Sequence, residues 1–326
     1  MSKLLLSFLV LFVYSHGKEY TNCSFKKEYK KYLCKELIKK EVTYNYANNF
    51  LLQWRKNKDK ERVIDLISQK KIKYHNKREK QANNNLVKYI SQAKRHLKKY
   101  KNLYDYIEKE YKVSREIITA ILLKETRIGE YKPKYDVYDS LITIANKVSK
   151  KDKNKRTKRE IWLYNLAFKN LVFLGTFCYK NNISIEQCHF PSSYIGAIGI
   201  PQFMPMNLKY VKKYIKENEY PDISEMEDAI VSTANFFNKN IKLKELVNWK
   251  QIGNMRKIEK EWYKYNFKTK KATFSINNKK YNCFSCNKKE NKYLNEIVKK
   301  IMKYNNSSNY AIGVLRIAYE SSFSNK

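Results

Sequence analysis

The chain has little with which to turn. Seven glycines and five prolines serve 326 residues, whereas sandwiches, barrels and other turn-rich β folds need breakers at short intervals. Long stretches carry apolar residues at three- and four-residue spacing instead, so the expected class is mainly α. An apolar share of 43% is ample for a buried core in a chain of this length.

Residues 18–85 are Lys-rich and helical in pattern, with Phe50, Leu51, Trp54, Val63, Leu66 and Ile67 at the apolar positions. Further helices are expected over 86–100, 160–177, 208–215, 226–238 and 310–319. The basic run 149–159 lacks apolar positions and reads as an exposed loop. One segment departs from the helical pattern. Ala272, Phe274 and Ile276, then Tyr281 and Cys283, alternate across Asn277-Asn278, which predicts a small β-hairpin insertion.

The N-terminus reads as a secretory leader, 1–17. Lys3 supplies the positive start, 4–14 is apolar but for Ser7, and Ser15 and Gly17 sit three and one residues before a cut after Gly17. Such a run is too short to span a membrane, so no stable span is expected after cleavage. Cys23, preceded by Tyr20-Thr21-Asn22, has a poor context for lipid attachment. Export places the six cysteines in an oxidising compartment. Cys23 with Cys34, Cys178 with Cys188 and Cys283 with Cys286 are the local pairs on offer, though sequence alone fixes no connectivity. A zinc site from Cys283, Cys286, Cys188 and His189 is the rival reading; it lacks a second C-x-x-C.

The net charge of +37 raises nucleic acid, anionic membrane and anionic polymer as partners. Arginine, the residue suited to bidentate base and phosphate recognition, is scarce among the 68 basic residues. With a leader as well, no nucleic-acid partner is expected, and the lysines read as solvated faces suited to an anionic cell-wall polymer.

Three segments carry chemistry. In 114–129, Ser114 is a plausible helix N-cap and Gly129 a plausible end. Ile117, Ile118, Ile121 and Leu122 form an apolar stripe, and Glu125 falls on that stripe, four residues after Ile121. A carboxyl on an apolar face resists ionisation, which is what a general acid requires near neutral pH. The plain alternative is a structural Glu paired with Lys124, Arg127 or another cation. The segment 192–205 spends two glycines and two prolines, together with Ser193 and Gln202, where backbone and amide groups approach a ligand. The third, 304–311, sets Tyr304, Asn305 and Tyr310 before the last helix. Tyrosine rings stack on sugar faces, and asparagine bonds hydroxyls and acetamido groups.

Five segments in order resemble the lytic murein transglycosylases of the B type, which carry a lysozyme-like domain. They are Glu125-Thr126-Arg127-x-Gly129; Asp139-Ser140-Leu141-x-Thr143-Ile144-Ala145; Ser193-x-x-Gly196-Ala197-x-Gly199-x-x-Gln202-Phe203-Met204-Pro205; Asp228-Ala229-Ile230 with Ala234-Asn235-Phe236; and Tyr304-Asn305-x-Ser307-x-x-Tyr310-Ala311. The resemblance implies a lysozyme-like catalytic domain over 86–250, an insertion with the hairpin at 251–292, and a C-terminal helix region, 293–326, completing the domain. It implies that Glu125 is the catalytic acid and then base, and that Ser193, Gln202, Tyr304, Asn305 and Tyr310 line the glycan cleft. Phe236 stands where the family has a cleft tyrosine, so a ring is kept and a hydroxyl lost. A calcium loop of the compared enzyme has no counterpart in 213–227, which lacks glycine and alternating oxygen ligands, so no metal or other cofactor is expected. Asp139 reads as a helix N-cap, not a second catalytic acid.

The implied substrate is peptidoglycan and the implied reaction is cleavage of the N-acetylmuramic acid–N-acetylglucosamine bond, leaving 1,6-anhydromuramoyl ends. A lysozyme-type hydrolase and a non-catalytic wall-binding protein are the alternatives. The expected location is exported, periplasmic or cell-wall associated.

Overall fold

The computed structural model describes residues 23–53, 59–214, 222–265, 273–276, 279–282 and 292–322. The leader, Trp54, Ala272, Cys283 and Cys286 lie outside the described residues. The fold is mainly α, as the breaker-poor sequence implies, and lysozyme-like, as the resemblance implies. The helices run α1 (Glu28–Ile38), α2 (Tyr44–Leu52), α3 (Lys60–Leu66), α4 (Gln69–Val87), α5 (Ile90–Lys99), α6 (Lys101–Tyr111), α7 (Arg115–Thr126), α8 (Val137–Ser149) and α9 (Lys158–Lys180). After a long loop come α10 (Met226–Phe236), α11 (Trp249–Ile252), α12 (Met255–Tyr265), α13 (Lys292–Met302) and α14 (Ser308–Ser322). Two short antiparallel pairs interrupt them. β1 (Tyr135–Asp136) pairs with β2 (Pro191–Ser192), and β3 (Thr273–Ile276) with β4 (Lys279–Asn282). In the second pair Ile276 faces Lys279, the register the alternation predicts, and Asn277-Asn278 lie outside the described residues.

The helix α7 is the axis of the molecule. Every residue from Ile117 to Leu123 is buried, including Thr119 and Ala120. A helix apolar all round needs partners on all sides; α14, α5, α6 and α10 supply them. The N-terminal helices join the same core. Helix α1 packs on α2, α8 and α9, α3 on α8, and α4 on α14. Helix α9 is long and apolar enough to cross a membrane by length and composition, yet its face of Leu163, Ala167, Leu171, Leu174 and Cys178 is buried in this core.

Side-chain caps mark several helix starts, those of α2, α4, α8, α9 and α11 among them. Thr157 and Glu160 form a reciprocal capping box at α9, with Thr157 Oγ1 accepting from Glu160 N at 3.2 Å and Glu160 Oε2 from Thr157 N at 2.8 Å. Two expected caps are corrected. Helix α8 begins after Asp136, whose carboxylate accepts from Asp139 N at 2.9 Å; Asp139 lies one turn inside. Ser114 occupies the cap position of α7, but its hydroxyl accepts from Val247 N at 2.6 Å, a tertiary donor that displaces the helix's own N–H groups.

Three boundaries also differ. The helix expected over 86–100 is broken between α4 and α5 at Lys88-Tyr89. The helix expected over 208–215 is a 3₁₀ turn, Pro205–Tyr210, running into extended backbone at Val211. The end of α7 comes before Gly129: Arg127 and Ile128 already hold φ of +51° and +56°. Their N–H groups bond Leu123 O (2.9 Å) and Leu122 O (3.0 Å), a bond pattern that closes the helix without glycine.

Two disulfides, Cys23–Cys34 and Cys178–Cys188, match the local pairing. The second removes Cys188 from any zinc site, and the first leaves Cys23 no thiol for a lipid. The two bonds staple α1 to the segment before it and the end of α9 to the strand leading into 192–205.

Candidate active site

Four pieces of backbone converge on Glu125. The last turn of α7 carries the residue itself. From α14, whose first turn is capped by Ser307 Oγ accepting from Tyr310 N at 3.1 Å, the Tyr310 hydroxyl donates to Glu125 Oε1 at 2.5 Å. The loop before α14 brings Tyr304, whose ring lies parallel to that of Tyr310 at 6.4 Å between centroids. The loop 192–205 comes beneath, joined to Tyr304 by a hydrogen bond from its hydroxyl to Pro201 O. Thr126, next to Glu125 and buried, donates to Ile200 O at 3.0 Å and accepts from Gly129 N at 3.1 Å. One side chain therefore fixes both the end of α7 and the height of the loop.

Burial is the largest influence on Glu125 and pushes its pKa from 4.5 up to about 7; the Tyr310 bond and the charge of Lys124 pull the other way. Among the described residues no second carboxylate contributes to that shift. Burial also raises the phenols of Tyr304 and Tyr310 well above their ordinary range, so both remain donors at neutral pH. The structural alternative for Glu125 is not what is seen. Lys124 Nζ donates to Asn83 Oδ1, and Arg127 is exposed over the Tyr89 ring, 5.0 Å from its centroid.

The other sequence-derived residues divide. Gln202 sits at φ +52°, and its side-chain amide donates to Gly199 O at 2.8 Å, within its own turn. Ser193 Oγ accepts from Ala197 N at 3.1 Å, while Ser193 N donates to Ala197 O at 2.8 Å. Both shape the loop with bonds internal to it. Gly199 has φ +70°, and a Cβ there would lie 2.7 Å from Ile223 O, so only glycine lets the two backbones pass. Asn305 is exposed beside Tyr304. Phe236 corrects the expectation of a stacking ring in the cleft. It is 3% exposed, edge-on beneath Tyr304 at 5.6 Å and packed on Phe203 at 5.1 Å, so it backs the tyrosine and presents no face of its own.

Sequence reasoning missed Asn83, Glu79 and Thr126. Ser307 donates to Glu79 of α4 at 2.9 Å, and Asn83 of α4 donates to Asn309 O at 2.9 Å. Asn83 and Glu79 sit in a Lys- and Asn-rich stretch with no motif around them, and only the fold reveals them. Thr126 stands within the Glu125-Thr126-Arg127-x-Gly129 segment, where nothing in the sequence sets it apart from its neighbours.

Where the compared family has a calcium loop, Asp228 accepts from Tyr214 N (3.1 Å) and Asp222 N (2.9 Å), with Lys213 Nζ 3.5 Å away. A carboxylate already holding two N–H groups and an ammonium does not suit a divalent cation. A cavity of about 660 Å³ lies elsewhere, between α3, α8 and α9, lined by Ile67, Lys147, Lys151 and Leu163 among others.

The transglycosylase SLT domain matches the chain over residues 24–319. No curated protein matches by sequence. Among solved structures, the Escherichia coli lytic transglycosylase Slt35 in complex with bulgecin A superposes with a TM-score of 0.60 at 16% identity, over 92% of this chain and 94% of that one. Soluble lytic transglycosylase SltB1 from Pseudomonas aeruginosa gives 0.56 at 17% identity, over 89% and 98%. SltB3 from the same organism, in complex with NAG-anhNAM-pentapeptide, gives 0.58 at 16% identity, over 89% and 77%.

Proposed function

The chain belongs to the family of transglycosylase SLT domains, and we propose that it cuts peptidoglycan glycan strands between N-acetylmuramic acid and N-acetylglucosamine with Glu125 as its one acid and base. The observation that carries this reading is the bond between Tyr310 and a carboxyl whose pKa burial raises to about 7. Near neutral pH such a group is divided about equally between its protonated and ionised forms, which suits a residue that donates a proton and then takes one back.

Glycosidases ordinarily divide acid and nucleophile or base between two carboxylates. Here Glu125 serves in both steps. It first gives its proton to the bridging oxygen as the bond from muramoyl C1 breaks. The resulting carboxylate then removes the proton of the muramoyl 6-hydroxyl while that oxygen bonds to C1. Glu125 ends protonated, no water is consumed, and the new end is a 1,6-anhydromuramoyl sugar. Tyr310 holds the carboxyl in place and stabilises its charged form between the steps. Tyr304 and exposed Asn305 offer a ring edge and an amide to the sugar; Ser193 and Gln202 set the shape of the opposite wall. SltB3 was solved with NAG-anhNAM-pentapeptide and with NAG-NAM-pentapeptide, the kinds of molecule taken here as product and substrate.

We further assign 86–250 and 293–326 to the catalytic unit, 18–85 to a helical extension and 251–292 to an insertion. The protein is read as exported to the cell wall or periplasm, a setting that suits its two disulfides. The test is digestion of purified peptidoglycan by the whole protein. Fragments one water lighter than hydrolytic ones support the reading; fragments of hydrolytic mass make the protein a lysozyme-type muramidase; binding without release makes it a wall-binding protein.

A further inference from the structure

A half-buried lysine adjoins the catalytic carboxyl and has no part in the proton transfers. Lys124 Nζ lies over the ring of Tyr310, 4.9 Å from the centroid, and donates to Asn83 Oδ1. The same Asn83 amide donates to Tyr263 Oη at 2.6 Å and to Asn309 O at 2.9 Å, the carbonyl just before Tyr310. Asn83 is 2% exposed and is pressed against α14 at Gly313, where a Cβ would meet its Oδ1 at 2.4 Å. Lys124 and Asn83 thus clamp α7 and α4 to α14 at Tyr310, the residue whose hydroxyl bonds Glu125.

Resting on the function proposed above, we propose that Lys124 is a positioning residue of this active site: its ammonium, held by Asn83, fixes Tyr310 on Glu125 and stabilises the carboxylate that forms when the proton leaves. A cation is attracted to the negative face of an aromatic ring, more strongly where water is excluded. Charge drawn from the ring makes the phenol a better donor, and bonded chains polarise one another in this way. The same charge, fixed before the reaction begins, favours the anion that appears on Glu125. Lys124 acts through Tyr310 and through its field, and touches no substrate atom.

On balance the surroundings lower the pKa of Lys124 from its ordinary value, with opposing influences. Burial lowers the affinity of Lys124 for its proton, while Glu79 of α4, Glu125 of α7 and Glu259 of α12 raise it. Glu259 is in turn paired with Arg316 of α14 at 2.8 Å. Glu79, Glu259 and, once its proton has left, Glu125 oppose the cost of holding this cation away from water.

The experiment measures the pH dependence of kcat/KM and kcat on a defined glycan strand for the wild type, Lys124→Gln and Lys124→Arg, with melting curves for each. Gln keeps an N–H donor for Asn83 and removes the charge; Arg keeps the charge. With the charge gone, the basic limb of kcat/KM moves up by about one pH unit and kcat falls about tenfold, while Arg retains the wild-type limb. A folded K124Q with an unchanged limb and kcat overturns the proposal. In the wild type, whatever the variants do, the ¹³Cε resonance of Lys124 follows the ionisation of Glu125 with the midpoint of the basic limb; a flat response there also overturns it. Release of anhydromuramoyl fragments by the wild type tests the underlying function separately, so the two failures are told apart.

Discussion

The hydroxyl of Tyr310 lies 2.5 Å from Oε1 of Glu125, and the two residues are 185 positions apart in the chain. The bond favours the ionised carboxyl, opposing burial. Tyr310→Phe keeps the ring stack on Tyr304 and removes only the donor. The basic limb of kcat/KM then moves to higher pH and kcat/KM falls, on the order of tenfold or more. Steady-state rates across pH 5–9 check both.

On the proposed mechanism, Glu125 carries its proton when substrate arrives. Activity therefore falls as pH rises through the folded pKa of about 7. Titration of kcat/KM against pH should place the basic limb there; a limb near 4.5, the ordinary carboxyl value, contradicts a buried acid.

The same shift has a consequence for stability. A carboxyl whose folded pKa is raised lends stability that is full below its unfolded value and is lost as pH rises through the folded one. Glu125→Gln removes the ionising group. Above pH 7 the variant should be more stable than the wild type, by up to about 3 kcal/mol; below about pH 4 the two should coincide. Paired urea titrations at pH 4 and pH 8 measure this.

Gly199 carries the tightest backbone approach in the 192–205 loop, with Ile223 O 2.7 Å from the place a Cβ would take. Gly199→Ala should cost about 1–3 kcal/mol, from a left-handed φ and a backbone clash together. Activity should fall further than stability, because Gln202 and the Pro201 carbonyl under Tyr304 ride on the same turn. Melting temperature and kcat of the purified variant test this.

Replacing Cys178 and Cys188 by serine opens a loop of sequence separation 10 that ends just before β2. A loss of about 2–4 kcal/mol is expected, read from denaturant midpoints with and without reductant. The wild type should follow the variant once reduced.

The sequence disclosed some levels of this structure and hid others, for physical reasons. Helix content followed from periodicity, and the β3–β4 pairing from alternation along the two strands. Glu125 was legible because helical spacing set a carboxyl among Ile117, Ile118, Ile121 and Leu122, and Tyr310 because it fell in a motif of the resembled family. Local signals failed where tertiary bonds prevailed. Ser114 gives its oxygen to Val247, Arg127 and Ile128 turn the chain before Gly129, and the 208–215 helix yields to extended backbone tied by Lys212 and Tyr214 to α10. The clamp of Asn83 and Lys124 was invisible: a polar residue of α4 gains meaning only once α4 lies across α14. Phe236 lies beneath Tyr304 and not at the surface, since the pattern gives a ring but not the tyrosine that covers it.

The central claim is that one proton, on Glu125, drives the cleavage. Glu125→Gln preserves shape and the acceptor for Tyr310 while abolishing the acid. The most direct measurement is the rate of muropeptide release from purified peptidoglycan at neutral pH by this variant, shown to be folded by its melting curve. A fall of about 10²–10⁴-fold or more is predicted; release at the wild-type rate would contradict it.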